Sequence, residues 1–547
     1  MRVAEAVGGA LAAAGVGQVF GVVGSGNFHM TNALMAGGAR FVAARHEGGA
    51  ATMADAYARM SGSVAAVSVH QGCGLTNAIT GITEAAKSRT PLIVLTAEVT
   101  EPKSNFYIDQ DGLARAVGAV PVRVTSPETA VRDVFAAVRT ARDERRTVLL
   151  GVSLPLQAMP VPEGALSAVP PPADPIPVAP DEADVSAFVR LLERARRPVF
   201  VAGRGARGPG RRAAIEALAE RYGALLATSA VARGLFRSNP WSLDVSGGFA
   251  SPPAAELIRG ADLIVGWGCA LNMWTTRHGR LIGPDAVVVQ VDDDPAALGA
   301  HRALRLGVTG DTALTAERTL AAAAGAPREG YRTARVGADI ATKVRWRDVP
   351  YRDESTAERI DPRTLSIALD RILPAERVIG VDSGNFMGYP SVYLSVPDEN
   401  GFCFPQAFQS VGLGLATAVG AALAQPHRLP VAALDDGGAL MGAADFDTVR
   451  RLGLPMLLVV YNDDAYGAEV HHFGPDGHPL DTVEFPPTDI AAVARGYGFE
   501  AVTVRTADDL TPVRRWVAGT RSAPLLIDAK ITRDHGSWWL EEAFRGH

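Results

Sequence analysis

Two acidic side chains in the segment 431–467 follow two neighbouring apolar runs, and their positions suit a divalent cation. Asp436 comes directly after the first run and Asp463 comes shortly after the second. Because parallel strands end at the same edge of a sheet, where α/β proteins bind ligands, we expect these two carboxylates to be neighbours. Gly437 and Gly438 leave backbone room for a phosphate. Oxygen ligands beside a glycine turn predict a magnesium-bound diphosphate, whereas either acidic turn alone would be an ordinary strand end.

The same segment resembles the diphosphate-binding signature of thiamin-diphosphate-dependent enzymes, in which Gly-Asp-Gly is followed at a distance by Asn-Asn. Here the triplet is Asp-Asp-Gly (435–437) and the pair is Asn-Asp (462–463), so the expected ligands are 463 − 436 = 27 positions apart. The resemblance implies that Asp436, Asp463 and the carbonyl of Ala465 bind magnesium. Aspartate replaces the first glycine and the second asparagine. Extra negative charge beside the diphosphate predicts cofactor binding that depends more strongly on the metal.

A second candidate is Glu47, which opens a helix after a strand predicted at 41–44. A glutamate in a first helical turn is ordinarily explained by its interaction with the helix dipole. The resemblance instead matches Glu47 to the glutamate that hydrogen-bonds the aminopyrimidine ring of the cofactor. A carboxyl group in an apolar pocket has a raised pKa and can pass a proton to that ring, whose amino group can then take the proton from the thiazolium carbon. We therefore expect Glu47 to be catalytic.

Further candidate site residues lie in and around a glycine loop. The segment 72–77 resembles the family's Gly-Pro-Gly-x-x-Asn loop, which shapes the floor of the site; Asn77 is retained and Cys73 replaces the proline. A lone cysteine without a base is predicted to pack rather than react. His70 matches a catalytic histidine of benzoylformate decarboxylases, although a histidine that caps its own strand is equally expected. Ser25 resembles the serine that receives the substrate carboxylate in those enzymes.

The resemblance also assigns residues on the other side of the cofactor. The backbone of Gln409 and Val411 is expected to face the pyrimidine, with Val411 as the aliphatic wedge that bends the cofactor; glycine is more usual at Gln409. Glu469 matches the acid–base glutamate of pyruvate decarboxylases, although a glutamate on a solvated helix face has the same pattern. His471 and His472 follow it, and at least one should face the substrate if this segment is helical.

These residues are carried by short Val/Ile/Leu runs that alternate with amphipathic Ala-rich segments, the pattern of parallel sheets covered by helices. A proline-rich stretch within 160–181 and a polar stretch without clear periodicity, roughly 325–358, divide the chain. We predict three doubly wound α/β domains: pyrimidine-binding (1–160), Rossmann-like middle (182–325) and diphosphate-binding (358–547). A Gly-rich turn in the middle domain would suit FAD or ADP, but a lone Gly-x-Gly is weak evidence and an empty domain is favoured.

Composition excludes several classes of function. The chain of 547 residues has 53 Lys+Arg against 59 Asp+Glu, a net charge of −6, and scattered basic residues, so no nucleic-acid partner is expected. It has no stretch of about 20 uncharged apolar residues, so no membrane span is expected. Glu5 interrupts the apolar N-terminus and favours a helix over a signal peptide. Three distant cysteines match no zinc spacing and predict a reducing, cytoplasmic location.

We therefore expect thiamin-diphosphate- and magnesium-dependent cleavage or formation of a C–C bond next to a carbonyl. Decarboxylation of a small 2-oxo acid, with ligation to a second carbonyl, is the first hypothesis; decarboxylation without ligation and 2-hydroxyacyl-CoA lyase chemistry stay open. A nicotinamide oxidoreductase would not explain Asp436, Asp463 and Glu47 together, and a non-catalytic scaffold would not need proton-transfer residues. The resemblance also implies a homodimer or homotetramer whose sites are shared between subunits.

Overall fold

The computed structural model describes residues 1–545 and contains three parallel six-stranded sheets. Most strands are buried along their whole length, because helices cover the sheets, and this explains why they read as continuous apolar runs. The prediction of three doubly wound α/β units is confirmed. The last two residues of the predicted third domain, 546–547, lie outside the described residues.

The N-terminal domain has the strand order β2-β1-β3-β4-β6-β5. Its strands are β1 (Gln18–Gly21), β2 (Arg40–Ala43), β3 (Ala65–Val69), β4 (Leu92–Glu98), β5 (Val120–Arg123) and β6 (Thr147–Ser153). Its helices are α1 (Val3–Ala13), α2 (Phe28–Ala36), α3 (Glu47–Ser61), α4 (Cys73–Lys87), α5 (Gln110–Ala116), α6 (Ala130–Asp143), α7 (Leu154–Gln157) and α8 (Ala165–Ala168). The expected catalytic glutamate is thus the first residue of α3.

The middle domain has the order β9-β8-β7-β10-β11-β12, in which the sheet grows in opposite directions from β7, as in dinucleotide-binding folds. Its strands are β7 (Pro198–Ala202), β8 (Leu225–Thr228), β9 (Ser242–Val245), β10 (Leu263–Trp267), β11 (Val287–Asp292) and β12 (Leu306–Thr309). Its helices are α9 (Glu182–Arg194), α10 (Arg211–Tyr222), α11 (Pro252–Arg259), α12 (Thr312–Ala322) and α13 (Ala334–Lys343). At the switch point, Gly203 after β7 approaches Gly268 after β10 so closely that a Cβ on Gly203 would lie 2.2 Å from the Gly268 oxygen.

Helix α13 corrects one expectation, because it lies within the stretch 325–358 that showed no clear periodicity. Ile340 of α13 and Val344 directly after it are buried in a core cluster of the middle domain. Val336, Ile340 and Val344 recur every four residues, as on one face of a helix, and pack on this cluster, but they stand among small and polar residues that obscure the pattern in the sequence.

The C-terminal domain repeats the strand order of the N-terminal domain, as β14-β13-β15-β16-β18-β17. Its strands are β13 (Arg377–Val381), β14 (Phe402–Cys403), β15 (Leu429–Asp435), β16 (Leu457–Asn462), β17 (Glu500–Val504) and β18 (Leu525–Lys530). Its helices are α14 (Pro362–Ile372), α15 (Gly388–Tyr393), α16 (Gly414–Ala424), α17 (Asp436–Met441), α18 (Phe446–Arg451), α19 (Gly467–Phe473), α20 (Ile490–Gly496), α21 (Thr511–Ala518) and α22 (Leu540–Ala543).

Helices α3 and α16 join the two outer domains by direct packing. Both are rich in Ala and Gly, so their backbones approach closely: a Cβ on Gly420 would lie 2.2 Å from the carbonyl oxygen of Met53. Helix α3 begins at Glu47 and α16 begins three residues after Val411. The packing therefore gives the starts of two expected site helices a defined relative position. Among the described residues, no helix is long and apolar enough to cross a membrane.

Candidate active site

Asp436 and Asp463 lie side by side at the carboxyl edge of the C-terminal sheet. Strands β15 and β16 are paired in parallel, and the two residues follow their ends. Both side chains are buried, at 6% and 5% exposure, and their carboxyl groups are close enough for each to shift the pKa of the other. Oδ1 of Asp436 is buried without a hydrogen-bond partner. A buried carboxylate oxygen without a hydrogen-bond partner is suited to bind a cation.

Glycines allow this close arrangement of the two turns. A Cβ on Gly437 would lie 2.7 Å from the ring of Tyr466, and a Cβ on Gly467 would lie 2.3 Å from Oδ2 of Asp463. Any larger residue at either position would push the two acidic turns apart. Asn462 holds the second turn, because its Oδ1 accepts the backbone N–H of Asp464 at 3.0 Å.

Burial and mutual repulsion disfavour ionisation of this pair. Burial raises the pKa of Asp436 to about 6. Burial and then the charge of Asp436 raise the pKa of Asp463 well above its ordinary value. Buried carboxyl groups with raised pKa values are suited to exchange their protons for a divalent cation.

The residues present fit magnesium. A hard cation requires oxygen ligands, and both carboxyl groups supply them. A third oxygen is the carbonyl of buried Ala465, which belongs to the same turn as Asp463. Within residues 1–545, no group of three or more His, Cys, Asp or Glu side chains is arranged to hold a metal. Two carboxylates and one carbonyl would therefore leave coordination positions for the diphosphate and water.

Asp435, which replaces a glycine of the family signature, is buried in the turn itself. Its Oδ1 accepts the backbone N–H of Gly438 at 2.6 Å. This N–H belongs to the first turn of α17, which the signature would present to the diphosphate. Burial and then the charge of Asp382 raise the pKa of Asp435 well above its ordinary value. The turn thus carries a buried carboxyl group, whose ionisation is disfavoured, next to the expected position of the diphosphate.

Asp382, at the end of β13, is a site residue that we did not predict. It is fully buried and accepts the backbone N–H groups of Gly412 and Leu413, at 3.0 and 3.2 Å from its Oδ1. Burial raises its pKa to about 6. The strand-end pattern that identified Asp436 applies equally to Asp382 and could have found it.

The segment held by Asp382 contains Gln409 and Val411. Gln409 has a φ of 61°, in the left-handed region that disfavours residues with a side chain. This backbone is the physical reason why glycine is more usual at this position. Gln409 is exposed and Val411 is partly exposed, and both line a cleft of about 2240 Å³ between the domains.

Glu469 lies in the first turn of α19 and lines the same cleft as Asp435 and Gln409. His471 and His472 are on this helix, as expected for a helical segment, but neither lines the cleft among the described residues. His471 is partly buried against Gly536, a Cβ on which would lie 3.0 Å from the Cβ of His471. His472 stacks on Phe544 with ring centroids 4.0 Å apart. The structure therefore groups Glu469, but neither histidine, with the diphosphate half of the site.

The N-terminal domain brings Glu47 and Asn77 together. Asn77 Nδ2 donates to Glu47 Oε2 at 3.1 Å, and a Cβ on Gly74 would lie 3.3 Å from Glu47 Oε1. The preceding His46 caps α3 through its Nδ1, which accepts the N–H of Gly48 at 3.0 Å. Glu47 is partly exposed. The apolar pocket expected around this carboxyl group is therefore not formed by one chain.

His70 and Ser25 are neighbours on the same edge, with Nε2 and Oγ 3.5 Å apart. The Nδ1 of His70 lies 2.9 Å from the carbonyl oxygen of Gln71; because a carbonyl only accepts, Nδ1 carries the proton and Nε2 is free to accept one. Phe106 packs on the histidine ring at 5.2 Å. Cys73, which we predict to pack rather than react, is exposed at the start of α4.

The two groups do not meet within one chain. Ser25, Glu47, His70 and Asn77 do not line the cleft that holds Glu469. Throughout the described range, the side-chain hydrogen bonds of these four residues stay within the N-terminal domain. The N-terminal domain therefore holds one half of the expected site, around Glu47, and the C-terminal domain holds the other half, around Asp436 and Glu469.

Sequence profiles of three successive domains match this chain. The N-terminal thiamine pyrophosphate (thiamin diphosphate) binding domain matches residues 1–119, the central domain of these enzymes matches 185–319, and the C-terminal binding domain matches 382–529. The chain belongs to the thiamin-diphosphate-dependent enzymes. The two half-sites described above lie in the two cofactor-binding domains of this family.

Relatives of different activity are similar to this thiamin-diphosphate enzyme over nearly all of its length. A protein of Mycobacterium tuberculosis, named as an acetolactate synthase large subunit, is 30% identical over 90% of this chain and 91% of its own. A sulfoacetaldehyde acetyltransferase of Rhodobacter capsulatus is 27% identical over 97% of this chain and 94% of its own. The solved structure of a 4-hydroxybenzoylformate decarboxylase from Rhodococcus jostii superposes with a TM-score of 0.82 at 22% identity, covering 98% of this chain and all of the other, which shows the shared fold.

Proposed function

We propose that this enzyme uses thiamin diphosphate and magnesium to decarboxylate a small 2-oxo acid and can transfer the resulting acyl unit to a second carbonyl compound. One observation carries the proposal: Asp436 and Asp463 lie buried and side by side at the edge of the sheet, and Asp436 retains an oxygen without a hydrogen-bond partner. The acetolactate synthase and acetyltransferase relatives support acyl transfer as the second half of the reaction. The net reaction is redox-neutral, so the proposal includes no FAD.

In this proposal the C-terminal domain holds the cofactor. Asp436, Asp463 and the carbonyl of Ala465 bind magnesium, Gly437 and Gly438 leave room for the diphosphate, and the backbone of Gln409 and Val411 faces the pyrimidine. Bound thiamin diphosphate would supply a nucleophilic carbon and an electron sink. The chain's own contribution is to position this group and to handle protons around it.

Proton handling falls to Glu47, His70 and Glu469. Glu47 would hold a proton against the aminopyrimidine ring, with Asn77 fixing the orientation of its carboxyl group. Ser25 would donate to the substrate carboxylate, and the neighbouring Nε2 of His70 would accept or return a proton at the substrate oxygen. Glu469, on the cleft side, would protonate the product carbon or the carbonyl of an acceptor. We propose no substrate contact for His471 or His472.

We further propose that a complete site forms between the N-terminal domain of one chain and the C-terminal domain of a second copy, in a homodimer or homotetramer. Large apolar side chains are exposed beside both halves. Phe106 and Tyr107, near His70, are 45% and 43% exposed, and Leu440 and Met441, after the metal turn, are 42% and 56% exposed. Exposed apolar groups concentrated around an incomplete polar site favour burial against a second copy.

Co-expression of two inactive variants tests the shared site. Glu47→Gln removes the N-terminal half and Asp436→Asn removes the C-terminal half. With random pairing, half of the dimers are mixed and each has one intact site, so activity should recover to about a quarter of the wild-type value. Sites within one chain would give no recovery. The separately purified variants, mixed without time to exchange subunits, are the control.

Carbon dioxide release from a panel of 2-oxo acids, with and without an aldehyde or second 2-oxo acid as acceptor, tests the reaction. Release that requires magnesium and thiamin diphosphate supports decarboxylation, and a ligated product separates acyl transfer from simple decarboxylation. Binding of both cofactors without release from any donor would refute the decarboxylase proposal and favour an acyltransferase or acyl-CoA lyase.

The domain limits 1–160, 182–325 and 358–547 remain our proposal, and limited proteolysis tests them.

A further inference from the structure

The C-terminal domain forms hydrogen bonds to the turn that precedes Glu47. Asp445, in the short 3-10 turn Ala443–Asp445 after α17, is buried at 4% exposure. Its Oδ1 accepts the backbone N–H of Arg45 at 3.1 Å and the hydroxyl of Thr448 at 2.7 Å. Arg45 is two residues before Glu47, in the turn between β2 and α3. The backbone that leads into Glu47 is thus held by a carboxylate some 400 residues away in the sequence.

Two further contacts hold the same turn. The Nε atoms of Arg45 and Arg451 both donate to Oδ2 of Asp447, at 2.5 and 2.6 Å. The Nη2 of Arg451 also donates to the carbonyl oxygen of Ala43 at 2.7 Å. The Arg45–Asp447 pair is partly exposed and is expected to contribute little by itself. The buried Asp445 is therefore the central member of this group.

Gly49 permits the close approach of Asp445. A Cβ at this position would lie 2.1 Å from Oδ2 of Asp445, a distance that no packed side chain could accept. Gly49 lies in the first turn of α3, two residues after Glu47, where alanine would otherwise suit a helix better than glycine. The contact with Asp445 explains why glycine occupies a helical position.

We propose that Asp445 is a positioning residue that sets the location of the Glu47 carboxyl group for proton transfer. Contacts on both sides of Glu47, at Arg45 and at Gly49, leave its Cα little freedom. Proton transfer requires a carboxyl group within hydrogen-bond reach of the ring, so a displacement of about 1 Å is enough to slow it strongly. The inference rests on the proposed function, because Glu47 must act on thiamin diphosphate.

Four variants of the full-length protein test this role. Asp445→Ala removes the Oδ1 atom that accepts both hydrogen bonds, and Gly49→Ala leaves Asp445 in place but adds the clashing methyl group. Asp445→Asn retains Oδ1 and serves as the conservative variant. Gly496→Ala is the matched control, because this glycine is also helical and a Cβ there meets nothing within 4 Å.

The measurement is the rate at which the thiazolium C2 proton of bound thiamin diphosphate exchanges for deuterium, followed by NMR after acid quenching at saturating cofactor. The dissociation constant of the cofactor is measured in parallel by calorimetry. Asp445→Ala and Gly49→Ala should slow the exchange about 10- to 100-fold while cofactor binding persists. Asp445→Asn and Gly496→Ala should exchange close to the wild-type rate.

Wild-type exchange rates in both Asp445→Ala and Gly49→Ala would overturn the proposal. Equal slowing in Asp445→Asn would also overturn it, because that variant keeps the hydrogen bonds. If Asp445→Ala does not fold, Gly49→Ala decides the question with the carboxylate intact. Failure of the wild-type protein to bind thiamin diphosphate or to exchange the proton is a separate result, which would refute the proposed function itself.

Discussion

Magnesium binding at Asp436 and Asp463 should release protons, because both carboxyl groups have raised pKa values. Burial is the largest cause for each, and the charge of Asp436 is the next cause for Asp463. A metal ligand must be ionised, so the cation displaces whatever protons the pair holds. The sign follows: as the pH falls through about 6, the pair is protonated and magnesium affinity decreases.

The raised pKa values set the pH dependence of this release. Near pH 6, Asp436 is about half protonated, and the raised pKa of Asp463 favours its protonated form as well, so both carboxyl groups should release protons when the metal binds. Near pH 8 the contribution of Asp436 should be close to zero. Asp463→Asn should lower the release near pH 6, because an amide has no carboxyl proton to give.

Calorimetry of metal-stripped protein in buffers of different ionisation enthalpy measures this count directly. Asp445→Asn is a suitable control, because burial also raises the pKa of Asp445 although it lies outside the metal turn. It should release as many protons as the wild-type protein. A count that does not change with pH, or that is the same in Asp463→Asn, would show that the pair does not bind the metal.

Three further predictions concern individual side chains. Glu47→Gln should bind thiamin diphosphate but lose exchange of the thiazolium C2 proton by NMR, and normal exchange would refute the role of Glu47. His70→Ala and Glu469→Gln should each lower turnover at least about tenfold in a carbon dioxide assay, and near-normal rates in both would refute their assignment. Asp435→Gly should tighten thiamin diphosphate binding in calorimetry, and the gain should grow as the pH rises, because the raised pKa of Asp435 keeps its carboxyl group neutral at lower pH and ionisation places a negative charge beside the diphosphate. Weaker binding would show that the bond from Gly438 N–H to Asp435 supports the cofactor-binding turn instead.

The sequence predicts structure correctly where the local pattern of residues is enough to set it. The two apolar runs before Asp436 and Asp463 predicted parallel strands, and parallel strands place their ends together whatever surrounds them. It failed where the deciding contact comes from elsewhere in the chain. Helix α13 is an example, because the contact of Ile340 with the core of the middle domain decides the structure of a segment that is otherwise mostly polar.

The sequence by itself determined the family, the three α/β domains and the oxygen ligands expected for the metal, because these depend on residue types and on spacing along strands and helices. Only the tertiary structure decided which groups meet. Three contacts depend on how segments of the chain pack. They are the hydrogen bond from Gly438 N–H to Asp435, the hydrogen bonds from backbone N–H groups to Asp382, and the hydrogen bond from Arg45 N–H, before Glu47, to Asp445. The same packing leaves Glu47 and Asp436 in separate half-sites, because α3 and α16 fix the relative position of their domains within one chain.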